Sequence, residues 1–249
     1  MKTGEIIFGW RFSLLKANIT LIEIISVQEK SLNTNVQDIV QVVENNMKKT
    51  SLLLAIFIIF SIIVKSCPII DLWDKAFILH LQGVLKNLPL WIPLLPDCKL
   101  YSIMIALPLI VGSIWFFKKR EYKSVLFLCS IPLVTYLLNC IIKPLVHRPR
   151  PPFEMQLAIH PHSFSYVSSH SLVTICLWGM VIYFILKCCK NKVWRYVGII
   201  FSAIWILFVG FSRIWLGVHN PTDVIGAYIL GLFLLSIYTK LFSKGVDNE

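Results

Sequence analysis

The sequence predicts an all-α polytopic membrane protein, a six-transmembrane-helix bundle. Three observations predict it. Hydrophobic residues make up 57% of the chain and charged residues only 15%. The apolar residues fall into runs close to the ~20 residues that cross a bilayer core. The excess of basic residues sits in short clusters between those runs, as topology signals do. A soluble domain of 249 residues would struggle to hide so much apolar surface, whereas lipid solvates it.

The expected spans follow in order. The first runs from Ser51 to Pro68 and is weak, because Lys65 must snorkel near its end. The second covers about Tyr101 to Phe117, the third Lys123 to Lys143, and the fourth Ser171 to Cys188. The fifth runs from Val193 to Phe211 and the sixth from Pro221 to Phe242. This gives a transmembrane domain over residues 51–242, an N-terminal segment over 1–50 and a short tail over 243–249.

Charge then orients the bundle. Lys48 and Lys49, the cluster Lys118, Lys119, Arg120 and Lys123, the cluster Lys187, Lys190, Lys192 and Arg195, and Lys240 with Lys244 are all expected in the cytoplasm. Both termini then lie inside. The connection after the third span breaks the pattern, for it carries Lys143, Arg148 and Arg150 on the outer side. Cations kept against the topological bias point to an anionic ligand. The net charge of +11 is thus read as membrane topology plus an anion site, not as nucleic-acid binding.

Two other segments are less regular. Residues 69–96 are apolar but broken by Asp71, Asp74, Lys75, Lys86 and several prolines. They read equally as an interfacial lid or lateral entrance and as an ordinary packed loop. Before Ser51, polar residues at Gly9, Ser13, Lys16, Thr20 and Glu23 recur at helical spacing, which suggests an amphipathic helix on the cytoplasmic surface. Met47-Lys48-Lys49 ahead of an apolar run also reads as a native start of translation. The seven cysteines form no metal-binding spacing. Cys67 and Cys98 flank one polar segment and are either a disulfide or, more simply, two free thiols.

Three polar clusters interrupt the apolar chain, and the topology puts all of them outside. The first is Lys143-Pro-Leu-Val-His-Arg-Pro-Arg150-Pro151. Lys143 and Arg150, with Arg213 from the third cluster, would balance a phosphate, and the arginine fork suits two phosphate oxygens at once. Pro144, Pro149, Pro151 and Pro152 are expected to stop the helix and hold the loop extended. Taken alone, this cluster equally fits a basic loop that binds anionic headgroups.

The second cluster is Tyr166-Val167-Ser168-Ser169-His170, just before the fourth span. Either serine can cap that helix, and the free N–H groups there favour an anion. His170 is either hydrogen-bonded structure or a proton donor. The third cluster runs from Ser212-Arg213 to His219-Asn220-Pro221-Thr222-Asp223. Asn220 can cap the last helix, with Pro221 first in it and Asp223 third. From there the carboxylate reaches back to His219, fixing one tautomer and leaving the other ring nitrogen as a nucleophile. That pairing is the stronger reading; a simple capping role for Asp223 is the weaker.

Together, Lys143-x6-Arg150-Pro151, Ser168-Ser169-His170 and Ser212-Arg213-x5-His219-x3-Asp223 resemble the type 2 phosphatidic acid phosphatase superfamily, which shares its phosphate-binding pattern with vanadium haloperoxidases. A multi-span chain argues against the haloperoxidases. The resemblance covers about Tyr101 to Phe242. It implies a metal-independent lipid phosphatase without cofactors. His219 would attack phosphorus and form a phosphohistidine, Asp223 would orient it, and His170 would protonate the leaving group. Lys143, Arg150, Ser168, Ser169 and Arg213 would bind the phosphate oxygens.

The expected partners are a membrane lipid phosphate and the bilayer. The expected site faces the outside of a bacterial cytoplasmic membrane. Undecaprenyl diphosphate and phosphatidylglycerol phosphate are favoured substrates, ahead of phosphatidic acid and lipid A. Two other readings stay open: a lipid-linked phosphotransferase using the same site, and a non-catalytic anion-binding membrane protein. The sequence departs from the family's proline-serine-glycine-histidine at Val167 and Ser169, which bears on rate and substrate choice more than on reaction type.

Overall fold

The computed structural model describes residues 47–246, with side chains from 50 to 241. The expected amphipathic helix before Ser51 and the proposed start at Met47 concern residues outside that described part. Among the described residues, all regular structure is helical. The long helices are α1 (Met47–Ser66), α2 (Pro68–Leu85), α4 (Lys99–Lys118), α5 (Tyr122–Val146), α6 (Ser169–Cys188), α7 (Lys192–Trp215) and α8 (Pro221–Val246). A single turn, α3 (Trp91–Leu94), and short 3-10 turns at Leu95–Asp97 and Phe153–Met155 complete them.

Helices α4 to α8 are each long and apolar enough to cross a membrane. The sixth span is α1, counted together with α2 across a bend of 86°. Its weakness is visible in the sequence, where only Thr50–Ser66 is available before Pro68. Lys65 does not simply snorkel: its ammonium donates to the carbonyl of Leu145 at the end of α5, 3.0 Å away.

Burial sorts the helices into a core and a lipid-facing layer. Helix α6 is the hub, packed on both α7 and α8, with Leu172, Cys176, Leu177 and Met180 fully enclosed. Helix α4 is peripheral, exposing Ile103, Leu107, Ile110 and Val111. Exposed side chains of that kind belong in hydrocarbon, where they cost nothing.

Residues 69–96 are mostly helix. Pro68 opens α2 at a position where a missing N–H is harmless. Asp74 and Ile78 are buried on its inner face, whereas Ile69, Leu72, Trp73 and Phe77 are exposed. A helix that points its carboxylate inward and its tryptophan outward is built for an apolar surround. Of the polar residues that interrupt this segment, Asp74 points inward, Asp71 and Lys75 form a half-exposed ion pair one turn apart, and Lys86 follows the helix end.

The third span also differs from expectation. Helix α5 continues past Lys143, through Pro144, to Val146. His147 then ends it in the left-handed conformation, with its N–H on the carbonyl of Lys143 at 2.9 Å. Membrane helices tolerate such prolines because packing and local adjustment compensate for the lost bond. The prolines that do keep the chain non-helical are Pro149, Pro151 and Pro152.

The cysteines are free thiols, Cys67 and Cys98 included. The long α5–α6 connection is held to its neighbours by backbone. The Ser165 N–H donates to the Arg148 carbonyl at 2.9 Å, and the Leu157 N–H to the Leu216 carbonyl at 3.0 Å. The side chain of Gln82 on α2 donates to the carbonyls of Met155 and Trp215, at 2.8 and 2.9 Å. These ties converge on one end of the bundle, where α5 and α7 finish and α6 and α8 begin.

Candidate active site

The three sequence clusters meet at that end. One cavity of about 260 Å³ is lined by Lys143, Arg150, Ser163, Ser169, His170, Arg213 and His219, with Asp97 at its edge. Residues as far apart along the chain as Asp97 and His219 thus share one chamber. The cavity is smaller than the ~300–1,000 Å³ of sites that enclose a whole drug-sized ligand, so it suits a headgroup.

Each side chain is set by the element that carries it. Helix α5 ends by presenting Lys143, whose ammonium donates to the Ser163 hydroxyl at 3.3 Å. Arg150 is fixed by the Ser163 carbonyl on its Nε, 2.7 Å away, and by the Val218 carbonyl on one terminal nitrogen. That same nitrogen lies 3.3 Å from Nε2 of His219. Burial, reinforced by the positive field of Arg213, lowers the Arg150 guanidinium to about 10. It still carries full charge at neutral pH.

His219 and Asp223 flank the start of α8. The Asp223 carboxylate is fully buried and has four neighbours. Its Oδ2 accepts from the Ser165 hydroxyl and, at 2.7 Å, from the Asn220 N–H. Nδ1 of His219 lies 3.6 Å from the same oxygen. Its Oδ1 accepts from Arg148 at 2.7 Å. The bond to the Asn220 N–H is half of a capping box, so Asp223 both caps the helix and faces the histidine. The expected side-chain cap from Asn220 does not form: both its polar atoms lack a hydrogen-bond partner among the described residues. Asp74 of α2 supplies a cap instead, its Oδ1 accepting from the Thr222 N–H at 3.1 Å.

The tautomer of His219 follows from its partners. Arginine can only donate, so the nitrogen facing Arg150 must offer a lone pair. The proton then sits on Nδ1, where Ser165 Oγ at 3.5 Å and Asp223 are the acceptors. Burial first, then the fields of Arg150 and Lys143, pull the imidazole from 6.5 down to about 3 against the opposing pull of Asp223. His219 is neutral at physiological pH.

His170 opens the second side of the cavity, in the first turn of α6. Ser168 caps that helix, accepting from the Ser171 N–H at 3.5 Å and its hydroxyl at 2.9 Å. Nε2 of His170 lies 3.7 Å from Asp97, whose other oxygen pairs with Arg213 at 2.6 Å. The Tyr101 ring packs on the imidazole, with centroids 4.8 Å apart. Arg213 is also fixed by the hydroxyl of Ser212 and the carbonyl of Pro93.

Comparison with known proteins now decides the family. The family model described as PAP2 superfamily matches residues 124–247. Phosphatidylglycerophosphatase B of Bacillus subtilis (strain 168) is 36% identical over 152 residues, which cover 59% of this chain and 70% of that one. The chain belongs to the PAP2 superfamily. Undecaprenyl-diphosphatase BcrC of the same organism is 28% identical over 156 residues, covering 59% of this chain and 74% of that one. The crystal structure of a transmembrane PAP2-type phosphatidylglycerolphosphate phosphatase from Bacillus subtilis superposes with a TM-score of 0.66. It shares 28% sequence identity and covers 80% of this chain and 98% of that one. The protein is a multi-pass membrane enzyme of this lipid-phosphatase type.

Among the sequence-predicted PAP2 residues, six line the cavity and two stand behind it. Asp223 backs His219, and Ser168 is fully buried as a helix cap, its N–H on the Asp223 carbonyl at 3.2 Å. Ser169, where the family has glycine, lines the cavity and leaves it open. Five participants were given no site role from sequence: Asp97, Ser163, Ser165, Tyr101 and Asp74; Arg148, read as one of the outer cations for an anion, instead pairs with Asp74 and Asp223 and does not line the cavity. Among the described residues no three His, Cys, Asp or Glu side chains converge as a metal-ligand set. Gly217 shapes the turn that delivers His219. Its φ of +67° is left-handed, and a Cβ there would lie 2.0 Å from the Met155 carbonyl oxygen.

Proposed function

We propose that this membrane lipid phosphatase hydrolyses a lipid-linked phosphomonoester or diphosphate through a phosphohistidine on His219, without a metal ion. The observation that carries the reading is the contact of Arg150 with Nε2 of His219, which puts the unprotonated nitrogen on the side of the ring that borders a cavity lined by three cations and a second histidine; bound phosphate must draw the guanidinium off that lone pair before it attacks.

The steps balance as follows. Lys143, Arg150 and Arg213, with donors at the start of α6, hold the phosphate oxygens. Nε2 of His219 attacks phosphorus, and the bond from phosphorus to the lipid-side oxygen breaks. His170 takes up a proton as the phosphate's charge offsets the neighbouring Arg213, Lys143 and Arg150, and gives it to that leaving oxygen. The imidazole becomes a cation, which Asp223 stabilises. Water then attacks phosphorus, His170 takes its proton, the P–N bond breaks and inorganic phosphate leaves. The cations act on charge that builds on the equatorial oxygens in both steps.

A groove beside the cavity supports a lipid substrate. It shares Lys143, Ser163 and Ser169 with the cavity and continues past Pro144 and Cys140 to Tyr136 on the outer face of α5. A headgroup bound at the histidines would thus leave its tails along an exposed, apolar helix. Phosphatidylglycerol phosphate is the leading substrate on the 36% identity to phosphatidylglycerophosphatase B, with undecaprenyl diphosphate second. The basic clusters at the far end favour a cytoplasmic position for them, with residues 1–50 on that side. The cavity then faces the outside of a bacterial cytoplasmic membrane.

Phosphate release from a panel of lipid phosphates in detergent, run beside His219→Asn, tests the reading. Release from one lipid class with chelator present, and none from the variant, is expected. Strict dependence on an added acceptor alcohol would replace hydrolysis with transfer. Loss of turnover with chelator would overturn the metal-free mechanism.

A further inference from the structure

Asp74 lies outside the cavity, on an inner face of α2, yet its carboxylate is fully buried. Its Oδ2 accepts from Arg148 at 2.7 Å and also from the hydroxyl of Thr222. The other terminal nitrogen of Arg148 reaches Asp223 Oδ1 and Thr222 Oγ1, each at 2.7 Å. Arg148 is only 5% exposed. A continuous chain therefore runs from α2 through a buried guanidinium to the carboxylate behind His219.

The charges explain why both aspartates are needed. Arg148 facing Asp223 alone would neutralise it and weaken its hold on an imidazolium. With Asp74 on the other side, the three groups sum to one negative charge; Asp71, 3.8 Å from Arg148, is offset by Lys75 at 2.6 Å, so that charge remains available when His219 becomes cationic. The geometry needs both as well, because a guanidinium fork has a fixed plane and two anchored ends set its angle. Buried ion triads of this sort are poor stabilisers, since desolvating three charges consumes most of the Coulomb gain. A packing role alone would be met as well by apolar side chains.

Resting on the phosphohistidine reading above, we propose that Asp74 and Arg148 are positioning residues for the reaction: together they fix the Asp223 carboxylate that orients His219. Neither of them lines the cavity. Their effect is on the step that charges the imidazole, not on substrate binding. Helix α2 is thereby part of the catalytic apparatus, since it brings Asp74 to the start of α8.

Asp74→Asn tests this in the full-length protein, because asparagine keeps an acceptor for Thr222 and Arg148 but removes the charge. The expected result is a kcat lower by about 10–100-fold with KM changed less than about twofold, the split expected of a displaced orienting group. Arg148→Lys keeps the charge but cannot span both carboxylates, and the same kcat-specific loss is expected. It serves if Asp74→Asn does not fold. Thermal unfolding of both variants in detergent accompanies the kinetics. An unchanged kcat, or a fall in kcat matched by a rise in KM, would overturn the proposal and leave Asp74 as an anchor for α2. His219→Asn, assayed in parallel, separates the two levels. If that variant still formed phosphate, the nucleophile assignment would fail whatever Asp74→Asn did.

Discussion

The two histidines of the cavity stand in opposite surroundings. The His219 side chain is 4% exposed, and that of His170 is 35% exposed. Behind His219 stands a carboxylate saturated by Arg148, Ser165 and the Asn220 N–H. Beside His170 stands Asp97, at 3.7 Å and already committed to Arg213. The difference matches two kinds of work. A nucleophile must hold one tautomer and one angle while a bond forms. An acid that later serves as a base must exchange protons with a leaving group and then with water.

The sharpest way to break the comparison is to remove each imidazole in turn. His219→Asn should lower kcat by on the order of 10⁴-fold or more, as happens when a nucleophilic unit is dismantled, and should abolish acid-labile phosphoprotein in quenched reactions. His170→Asn should cost less, about 10²–10⁴-fold on a lipid phosphate. The loss should shrink on p-nitrophenyl phosphate, whose leaving group needs no proton. Equal sensitivity of His170→Asn to both substrates would sink the assignment of His170 as the acid.

A second test uses proton binding. Burial holds His219 near 3, well below an ordinary histidine, so it should show no imidazole titration by NMR between pH 8 and about 5. The sign for stability follows. The unfolded chain binds a proton on this histidine below about 6.5 and the folded chain does not, so stability falls as pH drops through that range toward 3. His219→Asn should flatten part of that acid-side loss in thermal melts. A titration near 6.5 assigned to His219 would mean that water reaches the ring and that the enclosed side of the comparison is wrong.

Much of this contrast was legible in the sequence, and the unread part has a common cause. Spacing across one helix start exposes a pair such as His219 and Asp223, four residues apart. The order Lys143, His170, Arg213 exposes a site because each sits at a helix end on one side of the membrane. Nothing local links Asp74 to Arg148, or Asp97 to Arg213, since those pairs form only when distant segments pack. A signal for Asp74 was nonetheless present. Asp71, Asp74, Lys75 and Gln82 recur at helical spacing after Pro68, which marks a polar stripe on a helix and not a broken loop. Ser163 and Ser165 carried no signal at all, for small polar residues in a proline-rich loop are unremarkable until their partners are known.

The smallest expected effect concerns the His170 side and its departure from the family pattern. Ser169 is the first residue of α6 and lines both the cavity and the lipid groove. On the proposed mechanism its hydroxyl would be one more donor for a phosphate oxygen, and a neutral hydrogen bond contributes about 0.5–1.5 kcal/mol. Ser169→Gly should therefore weaken inhibition by inorganic phosphate by about two- to tenfold, with kcat nearly unchanged and His219 as firmly held as before. Tighter phosphate binding in the glycine variant would show that the serine crowds the anion. The open side of the cavity would then be a place where this chain gives up affinity, and product would leave faster than from a relative with glycine.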